Sequence, residues 1–223
     1  MTTTIKVTTR EQLNKIIQSS SVDADLNHLD VSDITDMSDM FYSSQFNGNI
    51  SGWDVSNVVN MNNMFAHSEF RGDISAWDVG SVTNMNGMFC DSEFNGDISH
   101  WNVGSVTNMS AMFANSEFRG DISRWDVASV INMAWMFGYS KFTGNISQWD
   151  VSHVTNMCGM FYDSQFNGDV SHWDVSNVTS MSCMFGNSQF RGDISKWDVT
   201  RVTNMSWMFN NSKTEKLPDW YKE

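Results

Sequence analysis

Apolar residues recur along this chain every 24 positions, with polar residues and glycine between them. Each full copy of the pattern has a tryptophan at the same position, and no residue is inserted or lost between copies: Trp53, Trp77, Trp101, Trp125, Trp149, Trp173 and Trp197. Leu29 takes the same position in an earlier, weaker copy. Repeats of about 20 to 50 residues are typical of solenoids, propellers and arrays, in which each unit buries its apolar face against its neighbours. We therefore predict a repeat solenoid.

The spacing of apolar residues within one unit predicts its local structure. Residues Trp77-Asp78-Val79 read as a short strand whose side chains alternate between the interior and solvent. From Val82 to Phe89, apolar residues at i, i+3, i+6 and i+7 predict one or two helical turns. The predicted fold class is thus an α/β, right-handed, leucine-rich-repeat-like solenoid with short parallel strands on one face and helical turns on the other. A β-helix is the alternative, and it requires a clearer alternation of apolar and polar residues.

The two ends of the chain differ from the repeat. The predicted division is an N-terminal cap of strand plus helix at residues 1–27, one degenerate and seven full repeats at residues 28–212, and a C-terminal cap at residues 213–223. Thr9 is the predicted N-cap of the helix, with Gln12 completing a capping box. Leu217, Trp220 and Tyr221 are expected to cover the last repeat. Such caps stop further units from adding to exposed ends.

The repeated string Asp-Ile-Ser-x-Trp-Asp-Val-Ser-x-Val-Thr-Asn-Met-x-x-Met-Phe resembles the repeat of BspA-type leucine-rich-repeat surface proteins, a family that includes mycoplasma surface lipoproteins. The resemblance covers residues 28–212. It implies a solenoid fold. It also implies adhesion or receptor binding outside the cell, and hence a location at the cell surface or in the medium.

The charge of the chain restricts its partners. Its 13 basic and 26 acidic residues give a formal net charge of −13. Nucleic acids and anionic membranes are bound by basic faces, so neither is an expected direct partner. The sequence contains no apolar stretch long enough to insert into a membrane and no signal peptide, so the chain as written is expected to be cytoplasmic.

Equivalent residues of successive repeats form columns, stacked about 4.8 Å apart. Aspartate predominates in two columns, one directly after the repeated tryptophan and one four residues before it, with asparagine at Asn49, Asn102 and Asn145. Because stacked carboxylates repel one another, each is expected to accept backbone N–H groups of its own turn. Bound cations, calcium first, and recognition of a cationic partner are the alternatives. The asparagine column predicts a structural ladder, and the methionine and phenylalanine columns predict the core.

Candidate binding residues lie in exposed columns, several of which differ between copies. On the predicted strand side, expected to be concave, the candidates are Asp54, Asp78, His100, Arg124, Asp126, Gln148, Asp150, His172, Asp174, Lys196 and Asp198. On the predicted helical side they are Trp135 and Trp207, because a tryptophan that is costly to expose is a common contact residue.

No motif for catalysis is present, and the three cysteines occupy variable positions without metal-binding spacing. Cys158 and Cys183, one repeat plus one residue apart, could nonetheless be neighbours in space. We expect no catalytic residues, no metal and no cofactor. The predicted function is a non-enzymatic module that binds a protein through an extended face. One alternative is an acidic inhibitor that acts on a host or competitor protein, with mimicry of nucleic acid as one way of acting. A second is a calcium-binding or purely structural solenoid. The sequence identifies neither the partner nor the oligomeric state.

Overall fold

Regular secondary structure is scarce in the computed structural model, which describes residues 4–222. Its elements in chain order are strand β1 (Ile5–Lys6), helix α1 (Arg10–Ser19) and strand β2 (Leu29–Asp30). The two strands pair in parallel, with Ile5 opposite Leu29 and Lys6 opposite Asp30. The remaining described residues form turns, stretches without regular structure, and single parallel bridges that join each repeat to the next. The fold is therefore a repeat solenoid, in which each repeat forms one rung.

Helix α1 packs against the first rung. Thr9 is its N-cap, and the Oγ1 atom of Thr9 accepts the N–H of Gln12 at 3.2 Å. Leu13 is fully buried in the core. The guanidinium group of Arg10 donates to the carbonyl oxygen of Ser38. These contacts fix the helix to the beginning of the solenoid.

Backbone hydrogen bonds between rungs follow the asparagine column. Single bridges connect eight successive positions of this column: Asp36, Asn60, Asn84, Asn108, Asn132, Asn156, Ser180 and Asn204. The N–H of Met61 donates to the carbonyl of Asn84 at 2.9 Å, and the N–H of Asn63 donates to the carbonyl of Asn86 at 2.8 Å. Alternate residues continue this ladder up to His67. The strand-like contact between repeats therefore lies on the methionine side of the unit.

The same segment folds into overlapping turns instead of the predicted helical turns. The N–H of Met64 donates to the carbonyl of Met61 at 3.2 Å, and the N–H of Ala66 donates to the carbonyl of Asn63 at 3.1 Å. Asn63 and His67 have φ angles of 53° and 56°. Residues in the left-handed region cannot continue a right-handed helix. Asn63 and His67 instead turn the chain so that every second N–H group of this segment points toward the next rung.

The predicted strand at Trp77–Val79 is wrong, because these residues belong to no strand or bridge. A turn ends at Trp77, whose N–H donates to the carbonyl of Ile74 at 3.2 Å, and another ends at Val82. Two turns so close together leave no extended segment for a backbone ladder. The indole joins the rungs here, since Nε1 of Trp77 donates to the carbonyl of Ile50 at 3.2 Å. The other tryptophans of the column make the same bond.

Parallel aromatic stacks run along the core. The phenylalanines that follow the second methionine of each unit lie with neighbouring ring centroids 5.3 to 5.9 Å apart: Phe41, Phe65, Phe89, Phe113, Phe137, Phe161, Phe185 and Phe209. The two methionines before each phenylalanine are also buried, apart from Met205 in the last rung. The predicted core columns are thus confirmed.

The closing segment covers part of the last rung. Nε1 of Trp220 donates to the carbonyl of Ile194 at 3.3 Å and so continues the indole column. Val202 and Met205 are only partly buried, although their equivalents in earlier full repeats are completely buried. Leu217 remains exposed. The predicted cover by apolar residues of the C-terminal segment is therefore partial.

Replacing Trp125 with phenylalanine should destabilise the solenoid. The change removes a buried N–H donor, and the carbonyl of Ile98, now 3.1 Å from the indole nitrogen, keeps only its turn bond from the N–H of Trp101. We expect a loss of about 2 to 3 kcal/mol, measured as a lower urea midpoint by circular dichroism. Trp135→Phe, at the surface, is the matched control and should change stability by less than about 0.5 kcal/mol. Equal effects at both positions would contradict the role of the indole bond.

Candidate binding surfaces

The aspartate columns cap turns. In each case Oδ1 accepts the backbone N–H of the residue two positions later, as in Asp54 with Ser56 at 3.1 Å and Asp73 with Ser75 at 2.9 Å. The six aspartates proposed from the sequence all make this bond: Asp54, Asp78, Asp126, Asp150, Asp174 and Asp198. Asparagine replaces aspartate at Asn102 and makes the same contact. These carboxylates are exposed, but one oxygen of each is used by the fold.

These hydrogen bonds favour the ionised carboxylate. The pKa of Asp97 and of Asp121 is lowered, first by the backbone N–H of the serine two residues later and then by its hydroxyl. For Asp54 the hydroxyl of Ser56 is the larger cause of the lowered pKa, and the backbone N–H of Ser56 is the second. Ionised carboxylates are therefore part of the folded state.

The variable column on the same side lies beside the second aspartate column. Its members were also proposed from the sequence, and all five are exposed: His100, Arg124, Gln148, His172 and Lys196. His100 and Arg124 line one shallow depression together with Ser99 and Asp121. The charges of Arg124 and Lys196 contribute to the lowered pKa of Asp121 and Asp193. The basic residues of this surface thus partly balance its carboxylates.

The lowered pKa values of the aspartates predict acid sensitivity. A carboxylate whose pKa is lower in the folded state contributes stability above its unfolded pKa, and that contribution is lost as pH falls through the folded pKa. The melting temperature should be constant from pH 8 to about 5 and fall below about pH 4. Scanning calorimetry across this range tests the profile.

A variant with asparagine at Asp97, Asp121, Asp169 and Asp193 should keep its fold, since Asn49 and Asn145 occupy the same column naturally and bond the following serines. Its melting temperature should fall less at low pH than that of the wild type. Identical acid profiles for the two proteins would contradict the prediction.

The asparagine and threonine columns satisfy the backbone. Nδ2 of Asn84 donates to Oδ1 of Asn60 at 3.1 Å, and Oδ1 of Asn84 accepts the N–H of Asn86 at 3.1 Å. The hydroxyl of Thr107 donates to the carbonyl of Thr83 at 3.2 Å, and the threonines of the later rungs repeat this contact. Both columns are structural in the described chain.

A second surface is formed by the variable positions of the overlapping turns. We define the turn face as the two residues between the methionines and the two residues after the phenylalanine of each unit, beginning with Ser38, Asp39, Tyr42 and Ser43. In the eight rungs these positions hold tyrosine, tryptophan, asparagine, serine, glycine, alanine, cysteine, aspartate and histidine, but no lysine or arginine. The three cysteines lie here and are free thiols. Positions that differ between repeats and hold aromatic or small polar residues are thus concentrated on this face.

Three aromatic side chains of the turn face form a cluster. The ring centroids of Trp135 and Tyr139 are 6.2 Å apart, and Tyr162 lies 5.4 Å from Trp135 and 5.3 Å from Tyr139. Tyr139 is 49% exposed, and the other two are half-buried. The hydroxyl of Tyr162 accepts a hydrogen bond from Nδ2 of Asn187 at 2.7 Å. We call Trp135, Tyr139 and Tyr162 the aromatic cluster.

Glycines in the next rung leave room for two of these rings, those of Trp135 and Tyr162. A side-chain carbon at Gly159, whose φ is 61°, would approach the ring of Trp135 to 2.6 Å. A side-chain carbon at Gly186 would approach the ring of Tyr162 to 3.0 Å. Trp135 and Tyr162 therefore lie flat on backbone. This arrangement holds the rings in position with little loss of side-chain freedom on binding.

Trp207 has a different setting. It is 69% exposed and belongs to the last rung. Together with Val202, Met205 and Trp220 it lines a cleft of about 720 Å³ beside the closing segment. The structure therefore separates the two tryptophans proposed from the sequence: Trp135 is in direct ring contact with two tyrosines, whereas Trp207 shares the cleft with aromatic residues of the closing segment.

Tyr139 and Tyr162 were not among the residues proposed from the sequence. A signal for Tyr162 was present, because an aromatic residue at a variable position is followed 24 residues later by glycine at Gly186, as Trp135 is by Gly159. Tyr139 carries no such signal, since Asp163 occupies the next position of its column. Its membership of the cluster follows from the turn geometry.

Neither metal binding nor membrane spanning is indicated by the described chain. Within residues 4–222, no group of three or more His, Cys, Asp or Glu side chains is placed to hold a metal ion. The same residues contain no helix long and apolar enough to cross a membrane.

Two matches to one family model span most of the chain. The model is described as "Mycoplasma protein of unknown function, DUF285", and it matches residues 11–119 and 114–220. The chain belongs to this family. The tandem matches agree with the tandem repeat seen in the fold. The comparisons with curated proteins and with solved structures gave no significant match.

Proposed function

We propose that the protein is a non-enzymatic module that binds a protein partner through the turn face. The observation that carries the proposal is the aromatic cluster, which lies on a surface where repeats differ. Tyrosine, tryptophan, serine, asparagine and glycine are also the residues that antibodies use for recognition, because the rings give large contact areas and the small polar residues adapt their hydrogen bonds. Tyrosine and tryptophan also dominate the binding energy of many interfaces.

The contrast between the two surfaces supports this choice. On the side of the aspartate columns, one carboxylate oxygen of each candidate residue is used to cap a turn, and the column is nearly uniform. On the turn face, a group of three aromatic rings occurs at one pair of adjacent rungs of the described solenoid, and elsewhere Tyr42 and His67 form a pair with ring centroids 5.3 Å apart. A unique feature on a regular scaffold can define one location for a partner.

The setting that we propose is the cell surface. The resemblance of the repeat to BspA-type leucine-rich-repeat surface proteins supports adhesion or receptor binding as the biological role. Labelling of intact cells with a reagent that cannot cross the membrane tests this location. Absence of labelling, with labelling after lysis, would refute it.

Capture experiments with matched variants test the binding face. Immobilised protein is incubated with matrix proteins and with host-cell lysate, and retained proteins are identified by mass spectrometry. The variant Trp135→Ala/Tyr139→Asn/Tyr162→Ala should lose its specific partner, because the rings provide the contact area. Each replacement occurs naturally in the same column, at Ala111 and Asn115 among others, so the fold should be retained.

The double variant Asp126→Asn/Asp150→Asn is the control for the opposite surface. It keeps the turn-capping oxygens and should retain the partner. Loss of the partner in this variant, with retention in the aromatic variant, would transfer the binding site to the aspartate columns. Capture that both variants leave unchanged would exclude both surfaces.

A further inference from the structure

The outer surface of the aromatic cluster carries an acidic group without a partner. Asp163 occupies the position of Tyr139 in the next rung, and the N–H of Tyr139 donates to the carbonyl of Tyr162, the residue before Asp163, at 2.6 Å. The carboxylate of Asp163 is exposed and forms no hydrogen bond or ion pair within residues 4–222. The other acidic residues of the turn face differ: Asp39 accepts from Asn63 at 3.2 Å, and Asp91 accepts from Asn115.

Tyr139 lies within the electrostatic influence of this carboxylate. Its pKa is raised, first by burial and then by the negative potential of Tyr162, Asp163 and Cys183. The ring is nevertheless half exposed. An open aromatic ring next to an unpaired carboxylate therefore faces solvent at one point of the turn face.

Within residues 4–222, no lysine or arginine forms an ion pair with Asp163. The turn face contains no lysine or arginine in any rung. The nearest basic residue along the chain, Lys141, is held by Glu117, with Nζ and Oε1 2.5 Å apart. The net charge of −13 attracts cationic molecules over a longer range.

We propose that Tyr139, with Trp135 and Tyr162 behind it, and Asp163 receive an arginine side chain from a basic segment of a protein partner. This inference rests on the proposed binding role of the turn face and specifies the chemistry of its partner. A guanidinium group is planar, so it stacks on an aromatic ring while its N–H groups donate to a carboxylate. Charge complementarity guides the approach of the segment and sets its orientation.

Binding of a labelled hexa-arginine peptide, measured by fluorescence anisotropy at two salt concentrations, tests the proposal. Tyr139→Asn and Asp163→Asn should each weaken the affinity about fivefold or more, because each removes one component of a cation–π and ion-pair contact. Asn115 and Asn187 occupy the same column, so both variants should fold normally, as checked by circular dichroism. Hexacitrulline, which keeps the planar shape without the charge, should bind much more weakly.

Tyr42→Ala and Asp39→Asn are matched controls at the other end of the turn face. Tyr42 has the same exposed fraction as Tyr139, 49%. Both controls should change the affinity for hexa-arginine less than about twofold, since each removes a comparable group at a distance from the cluster. Equal weakening by all four variants would show that only the overall charge attracts the peptide, and the proposal would fail. Unchanged affinity in Tyr139→Asn and Asp163→Asn would also overturn it.

The two proposals can fail separately. If the aromatic variant loses its captured protein but hexa-arginine does not distinguish Tyr139→Asn from the wild type, the turn face binds protein through other chemistry. If neither measurement responds to the cluster, the proposed function itself is wrong.

Discussion

The hydrogen bonds between rungs are the interaction on which the rest of this structure depends. Each repeat is too short to have a core of its own, so it is stable only when its apolar residues and its backbone are covered by neighbours. Two left-handed residues, four positions apart in each methionine segment, turn alternate N–H groups of the segment toward the next rung. A fixed length of 24 residues follows, because one inserted residue would shift every later donor away from its acceptor. The aromatic stacks have the same requirement, since their rings overlap only at constant spacing.

Side chains replace the backbone where the chain turns too often for a ladder. On the tryptophan side, indole N–H groups bridge the rungs. The aspartate, asparagine and serine columns then close the turns of each rung with short local contacts. Buried polar groups must be satisfied, and among the described residues no buried side-chain nitrogen or oxygen lacks a partner. Most of the polar residues that repeat are therefore explained by the backbone, and the acidic charge of the protein is in part a consequence of this use of aspartate.

The side chains available for binding a partner are those that the fold does not require. The turn face offers four such positions in each rung, and their left-handed or tightly turned backbone favours small residues. Trp135 and Tyr162 are accommodated because Gly159 and Gly186 leave space for their rings. This pairing of a large residue with a later glycine makes one place on a regular surface different from all others. A partner can be specific for that place although the fold around it is repetitive.

The period, the buried columns, the capping of helix α1 by Thr9 and the acidic charge could all be derived from the sequence. The period and the columns depend on residue types at a constant spacing, the cap on residues close together in the chain, and the charge on composition, and the sequence displays all three directly. The position of the backbone ladder could not be derived, since the spacing of Trp77, Val79 and Met85 is compatible with a strand followed by a helical turn. What decides the matter is the left-handed backbone at positions such as Asn63, Gly87 and Trp135, and residues so different share no sequence signal. The aromatic cluster likewise required the tertiary structure, because Tyr139 and Tyr162 belong to different columns and meet only when two rungs are stacked.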